Sequence, residues 1–553
     1  MKWPEVHDDA SPTAACIIYT RMRKILTAVL GVLLLAAFFL PARGPLTHSL
    51  GIEWRPSGEL AGVLFFSAVA ALASPRLAAA RGFAFALALL VVGAALLNFA
   101  DVATPSLLGR DLNLYWDFQH LPSLFGLARE SAGLWSASVA AALLFLCVSL
   151  LVGAAYWMWR KVLAPLADRR IAIAAAVLLG VALDVTSFLP AEQRPLATGL
   201  GTDIARHAAA FGRAWRMQAG AATTLPTALA SSGPPRSDLT GLKRRDVYLV
   251  YIESYGTTVF DTPEFRSALR ASLTQFESAL RGSGYTMASN RLVSPTFGGG
   301  SWLAHATLAS GVRLDDPILY SQLFRSGRKL LPGYFKDAGW RAVDIMPGTK
   351  TPAPEAHAWG FDREVYAAEL GYHGPSFGWF AIPDQFTLER ATAIRAALGS
   401  ETPVFTQIVL VSSHIPFSPV PPYLADWGDA GAFATVPPAA WDEIFQPPDW
   451  TVLAPGYLKS LEYDFAVLGD WLAKHLAGKE LVILLGDHQP PAVVGGELQQ
   501  WTVPIHVLSR DPDLVAPFIA AGYVAGLVPP QMSPPRGMES FLPSFLAAFD
   551  HSG

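Results

Sequence analysis

The stretch Val247-Tyr-Leu-Val-Tyr-Ile-Glu-Ser254 decides how the second half of this chain is read. Six apolar residues run without alternation and stop at a carboxylate and a hydroxyl, the pattern of a parallel strand buried on both faces. Runs of the same kind lie at Ala342–Met346, Val404–Val411, Leu481–Leu485 and Val503–Leu508. Between them the spacing predicts helices at Pro263–Arg281, Tyr320–Gly339, Asp384–Leu398 and Tyr457–Leu476. Strands alternating with helices imply a largely parallel sheet covered on both faces. In such sheets ligands collect at the carboxyl ends of the strands.

Several of these strand ends carry chemistry. Glu253 follows the first run, Ser412-Ser-His-Ile-Pro-Phe417 the third, and Gly486-Asp-His-Gln-Pro-Pro491 the fourth. Elsewhere Gly298-Gly-Gly-Ser-Trp-Leu-Ala-His305 places a hydroxyl after three glycines, at the head of a helix. Each element has an ordinary reading: a solvated strand-end acid, a loop histidine, a turn, an N-cap serine. Their joint placement on one sheet edge is what singles them out. Glycines allow close backbone approach, and a helix amino terminus presents free N–H groups to anionic oxygens. Glu253, Asp487 and His488 offer two oxygens and a nitrogen to a divalent cation. Ser301 completes the set as a further ligand and as the nucleophile, because a bound cation eases loss of its proton. Mixed O/N ligation suits manganese or zinc better than magnesium. His414 and His305 are the candidates to contact the transferred group, and Thr296 is the nearest rival hydroxyl.

Upstream of Glu253 the chain reads differently. Of its 553 residues 52% are hydrophobic and 16% charged, and the apolar excess lies in the first 190 residues. A net charge of −4 gives no pull toward nucleic acid. Cys16 and Cys147 do not make a disulfide framework, since one precedes the first apolar run and the other lies inside one. Five apolar runs stand out at Ile25–Leu40, Leu60–Ser74, Gly82–Ala100, Ala132–Trp159 and Ile171–Leu189. A span takes about 20 apolar residues, so the last three qualify outright and the second is short. A cleaved signal peptide beginning at Met22 is the competing reading of the first run. Four more runs follow it, however, and no small-x-small site closes it. Arg21, Arg23, Lys24, Arg76, Arg81, Arg160, Lys161, Arg169 and Arg170 cluster in alternate loops. Positive residues favour the cytoplasmic side, so the amino terminus is expected inside and everything after Leu189 outside. Ile204–Met217 alternates arginine with apolar residues, in the manner of an interfacial helix or a plain linker helix. The expected organisation is a five-helix transmembrane bundle over 1–190, a juxtamembrane helix and linker over 191–240, and an α/β catalytic domain over 241–553.

With these segments in view, the head from about Arg245 to Phe549 resembles the alkaline phosphatase superfamily. It is most similar to the sulfatase-like branch that holds lipoteichoic acid synthases and phosphoglycerol or phosphoethanolamine transferases. Ser301-Trp-Leu-Ala-His305 followed by Leu308-Ala-Ser-Gly311 keeps the register of the sulfatase nucleophile stretch, with Leu303 and His305 where proline and arginine stand. Without that proline and arginine, conversion of the serine to formylglycine is not expected, which argues against a true sulfatase. Ser412-Ser-His414-Ile-Pro-Phe417 looks like the branch's Asn-His-x-Pro-Phe segment, whose histidine binds substrate. Trp359-Gly-Phe-Asp362 and Trp379-Phe-Ala-Ile-Pro-Asp384 resemble two further stretches. The first of them implies substrate contacts at Trp359 and Asp362. Serine at 301 replaces the usual threonine, and Gln489-Pro-Pro491 stands where many relatives have glycine.

The resemblance implies an alkaline-phosphatase-like α/β sandwich on a multi-pass anchor in the bacterial cytoplasmic (inner) membrane, with the head on the outer, periplasmic or extracellular face. The implied activity transfers a phospholipid head group, phosphoglycerol-type, to an envelope glycan or lipid hydroxyl through phosphoserine. Two alternatives stand beside it. One is a phosphodiesterase, phosphatase or sulfatase-like hydrolase with water as acceptor. The other is a degenerate head that binds an envelope glycan, against which intact Glu253, Ser301, Asp487 and His488 weigh.

Overall fold

The structure, a computed structural model, describes residues 14–36, 41–43, 50–52, 57–108, most of 112–189, isolated parts of 196–229, and 237–550 apart from short gaps and most of 428–451. The chain divides into two compact units, residues 1–105 with 111–213 and residues 106–110 with 214–553.

The first unit holds α1 (Ala14–Ala36), α2 (Gly58–Ala73), α3 (Arg81–Leu108), α4 (Leu121–Leu163) and α5 (Arg169–Phe188). Helix α1 packs along α4 and α2 along α5, with Trp159, Ala84 and Ala88 fully buried between helices. Phe66, Phe145, Val177 and Phe188 point outward. A helical unit apolar on its outer surface as well as inside is built for a non-aqueous medium. Three segments are long and apolar enough to cross a membrane: Arg81–Asp101, Leu134–Ala167 and Arg169–Phe188. Helix α2 has 16 residues, a length of about 24 Å against a hydrocarbon core of about 30 Å. The first apolar run begins in α1, but residues 37–40 lie outside the described residues. The described helices therefore carry three full-length spans rather than five. Beyond α5, the helical segment 204–209 is tied back to α3: His207 Nε2 lies 2.9 and 2.8 Å from the two carboxylate oxygens of Asp101, and Arg206 donates to the same group at 3.2 Å.

The head is built on β1 (Val247–Ile252), β2 (Thr286–Val293), β3 (Arg341–Met346), β4 (Arg363–Tyr366), β5 (Val404–Val409), β6 (Leu481–Gly486) and β7 (Thr502–Ser509). Their order across the sheet is β2-β7-β6-β1-β5-β3-β4, and the two-residue strands Val524–Ala525 and Arg536–Gly537 pair with β2 at its edge. Strand β1 is parallel to both neighbours, with Val247 level with Phe405 on one side and Leu481 on the other. Its unbroken apolar run serves two cores. Tyr248, Val250 and Ile252 pack with α6 (Pro263–Gly282), α8 (Asp384–Ala397) and α9 (Ala454–Asp470). Val247, Leu249 and Tyr251 pack on the other face with Leu303, Ala304, Ala306 and Leu308 of α7 (Ser301–Ser310).

Three expectations are corrected here. Strand β7 is antiparallel to both β6 and β2. Among the described residues of 487–501 there is only the four-residue turn of helix Ala492–Gly495, and a segment this short leaves no room for a crossover helix between parallel strands. Strand β2 reads Thr-Met-Ala-Ser-Asn-Arg-Leu-Val and escapes an apolar-run criterion because its polar side chains are paired. Ser289 Oγ meets His506 Nδ1 at 2.7 Å, and Arg291 grips Asp261 through two bonds of 2.6 and 2.8 Å. The helix expected over Tyr320–Gly339 is two, Pro317–Ser326 and Leu331–Asp337, divided at Gly327 (φ 67°) with a proline opening the second.

Gly486, at the end of β6, faces the carbonyl of Tyr255 so closely that a Cβ has no room there. Gly486→Ala is expected to cost about 1–3 kcal/mol through overpacking, read as a lower denaturation midpoint of the head with a weakened cation site beside it.

Candidate active site

The pairing of β1 with β6 sets Ile252 level with Gly486. The next residues, Glu253 and Asp487, therefore leave the sheet side by side, and both are buried. Ser254 follows at φ 56°, a left-handed turn that a serine adopts only under constraint. That turn aims its N–H at Asp487 Oδ1 (2.9 Å), and the Tyr457 hydroxyl donates to its carbonyl at 3.0 Å. The N–H of His488 donates to the same Asp487 oxygen at 2.7 Å. Asp487 Oδ2 has no hydrogen-bond partner among the described residues and faces His488 Nε2 at 3.6 Å. His488 Nε2 lies 3.4 Å from Glu253 Oε1. Its Nδ1 lies 2.8 Å from the Gln489 carbonyl, which assigns the proton to Nδ1 and turns the Nε2 lone pair inward.

Ser301 opens α7 behind Gly300, which sits at φ 80°, ψ 33°. Its Oγ lies 3.3 Å from Glu253 Oε2 and 3.2 Å from His488 Nε2. The glycine run is fastened to the Asp-His loop by a Gly298 N–H···O=C Gln489 bond of 3.0 Å. The fold thus places hydroxyl, carboxylates and imidazole around one point, although they come from three separate segments.

The charges explain what that point wants. Burial alone would raise the Glu253 carboxyl, yet the hydrogen bond and charge of His488 hold it well below the usual carboxylate range. Burial, reinforced by the Glu253 charge, pushes Asp487 up to about 7. Burial would depress His488, but the charges of Asp487 and Glu253 outweigh it and hold the ring at about 9. Two acids and an imidazole, one oxygen of them orphaned, have ligand atoms within 4.8 Å of one another and could hold a divalent cation, which would replace the protons that otherwise keep the cluster neutral.

The remaining candidates fall at different distances from this centre. His414 is half-buried, with Nδ1 at 2.6 Å from the Ile415 carbonyl and its ring edge-on to Phe380 at 4.7 Å. Its charge reaches Glu253. His305 lies one turn inside α7, buried, its ring tilted against Tyr251 at 3.9 Å. Burial pushes it down to about 3, so it is neutral and has no proton to give near pH 7. Trp359 joins an aromatic chain that starts beside the nucleophile: Trp302 to Tyr320 at 4.5 Å, Tyr320 to Phe324 at 4.7 Å, Phe324 to Trp359 at 5.5 Å. Asp362 is not brought to the centre. It accepts from the Ala342 N–H at 2.9 Å and pairs with Lys336 at 2.9 Å. Ala342 and Val247 are both level with Phe405, so Asp362 stands at the amino ends of the strands, about 20 Å along the strand from Glu253. Its proximity in sequence to Trp359 does not carry it across the sheet. Trp379 lies outside the described residues.

Supporting residues come from positions with no sequence signal of their own. Ser413 Oγ donates to the Glu253 carbonyl at 2.8 Å, and Ser294 Oγ to the Asp487 carbonyl at 2.7 Å. A serine before a glycine run is indistinguishable from any loop serine until the sheet brings it under Asp487.

A cation must displace the His488 proton at any pH below about 9. Manganese affinity of the full chain is therefore expected to rise with pH, by about tenfold per unit for one displaced proton, and to level off above that value. Titration calorimetry in buffers of different ionisation enthalpy should read the released proton. Asp487→Ala should abolish both the binding and the release.

No protein-family model and no curated protein sequence matches the chain. Solved structures similar to it include the lipoteichoic acid synthase LtaP from Listeria monocytogenes, at 16% identity, covering 51% of this chain and 69% of that one with a TM-score of 0.34. Another is Streptococcus pyogenes phosphoglycerol transferase GacH in complex with sn-glycerol-1-phosphate, at 12% identity, 57% and 86% coverage and a TM-score of 0.36. A third is a protein in the alkaline phosphatase superfamily from Vibrio parahaemolyticus, at 14% identity, 55% and 72% coverage and a TM-score of 0.32. These belong to the groups that the motifs of the head resemble.

Proposed function

We propose that the chain is a membrane-anchored, metal-dependent transferase that moves a phospholipid head group, of phosphoglycerol type, to a hydroxyl of an envelope glycan or lipid. The observation that carries this reading is Ser301 Oγ at the head of α7, 3.3 Å from Glu253 and 3.2 Å from His488 Nε2. Glu253, Asp487, His488 and Ser301 are the residues that would hold the cation, manganese or zinc in preference to magnesium. When bound, such an ion eases loss of the serine proton and draws charge from phosphoryl oxygens.

In the first half-reaction Ser301 Oγ attacks phosphorus and the bond to the diacylglycerol oxygen breaks. The amino terminus of α7 lends its N–H dipoles to the phosphoryl oxygens. His414, whose Nδ1 lies against the Ile415 carbonyl, is the group that delivers a proton to the leaving oxygen. In the second half-reaction the acceptor hydroxyl gives up its proton and attacks the phosphoserine, and Ser301 recovers its own. His305 takes part in neither step in this reading and serves to pack α7 against Tyr251.

The anchor supports a lipid donor, since its apolar helices hold the head beside the membrane surface. The amino terminus and the Arg160–Arg170 loop are placed in the cytoplasm by their basic residues, and the head on the outer face. The Asp101–His207 pair agrees with that arrangement. Spans α4 and α5 lie between the two residues and return the chain to one side.

A reporter fused after Ser237 should be active only when it works outside the cytoplasm, and cytoplasmic activity would sink the topology. Incubating the detergent-solubilised chain with phosphatidylglycerol should release diacylglycerol and leave a glycerophosphoryl group on a peptide containing Ser301. Ser301→Ala should abolish both. His414→Ala should retain a residue of turnover, since acid–base help is worth about 10²–10⁴-fold. Phosphate on Thr296, or full activity without Ser301, would overturn the mechanism.

A further inference from the structure

Two buried acids outside the cation site meet beneath the segment that carries His414. Asp384 opens α8 and is fully buried. Its Oδ1 accepts from the Val411 N–H at 2.8 Å and its Oδ2 from the Ser412 N–H at 2.9 Å. In return the Asp384 N–H donates to Ser412 Oγ at 3.1 Å. Both oxygens thus act as acceptors, as an ionised carboxylate's do. Asp464 reaches the same place from the middle of α9, equally buried, and neither of its oxygens has a hydrogen-bond donor among the described residues. Its polar neighbours are the Asp384 carboxyl and the Ser413 hydroxyl. Tyr463 and Tyr457 of α9 complete the surroundings, their hydroxyls engaged with the Gln385 N–H at 3.3 Å and the Ser254 carbonyl at 3.0 Å. No basic side chain pairs with either acid among the described residues.

Two carboxyls in contact in a dry interior do not both ionise. Asp384 has the N–H donors that stabilise an anion and Asp464 has none, so the proton belongs to Asp464. Packing alone would be served as well by two apolar side chains. What the acids add is a hold on three consecutive residues, Asp384 on Val411 and Ser412 and Asp464 beside Ser413, with His414 immediately after. Ser413 in turn donates to the carbonyl of the cation ligand Glu253.

We propose that Asp384 and Asp464 share one proton and form a positioning pair that sets His414 against the cation centre. Both are positioning residues, acting through His414 without touching substrate. The inference rests on the reading of His414 as the group that meets the leaving oxygen.

The test uses the full chain in detergent, loaded with manganese at mildly alkaline pH. Infrared spectra should show the carbonyl stretch of an un-ionised carboxyl in the wild type and lose it in Asp464→Asn. A band that persists in that variant would refute the shared proton. Asp464→Asn, which keeps a donor, should leave the carbethoxylation rate of His414 unchanged. Asp464→Leu keeps the volume but not the donor, and should shift that rate while manganese affinity stays the same. A purely structural role predicts no shift with leucine, and that result would overturn the proposal. On phosphatidylglycerol micelles Asp464→Leu should lower turnover about tenfold or more, and add nothing in a His414→Ala background. An equal loss in both backgrounds would also overturn it. Absence of any turnover in the wild type would count against the transferase reading alone, because the infrared and modification measurements need no substrate. Should the leucine variant fail to fold, the infrared band in Asp464→Asn still decides.

Discussion

Everything at the site depends on two carboxylates leaving adjacent parallel strands at the same level. Ile252 is paired with Gly486, and the residues after them are Glu253 and Asp487. Side by side and buried, they repel, and burial makes each harder to ionise. The surrounding structure answers that cost locally. Ser254 and His488 give Asp487 Oδ1 their N–H groups, the His488 ring sits across both acids, and one oxygen is left bare toward the centre. A cluster so arranged could hold a divalent cation.

Ser301 reaches this centre through packing on the opposite layer. The apolar side of α7 is held against Val247, Leu249 and Tyr251, the face of β1 that turns away from α9. The helix is thereby fixed to the same strand that ends in Glu253, so Ser301 and its carboxylate neighbour share one rigid support. On the other layer α9 sends Tyr457 to Ser254 and Asp464 to Ser413. One helix thus braces both strand ends that lead into the site.

Aromatic residues line up beside Ser301. Trp302, Tyr320, Phe324 and Trp359 are in successive edge or tilted contact, and the Tyr320 hydroxyl is tethered to Glu355 at 2.7 Å. Rigid rings there offer apolar surface at small entropic cost.

The sequence by itself determined the five apolar runs of the core strands, the helix starts at Pro263 and Asp384, and the grouping of Glu253, Ser301, Asp487 and His488, because strand-end chemistry is legible wherever a buried strand is an unbroken apolar run. It did not reveal β2, whose Ser289 and Arg291 are polar and become buried only when His506 and Asp261 pair with them. Nor did it tell Asp362 from a site residue, since only the strand register shows which end of the sheet it occupies. His414 follows a strand into the ligand edge and His305 sits one turn past Ser301, a difference already legible in the sequence. Tertiary structure adds their surroundings: the His305 ring is buried against Tyr251, where desolvation keeps it neutral, and His414 is half-buried edge-on to Phe380. The pairing of Asp384 with Asp464 belongs to the same class, because two acids 80 residues apart become one device only when α8 and α9 pack on the same face of the sheet.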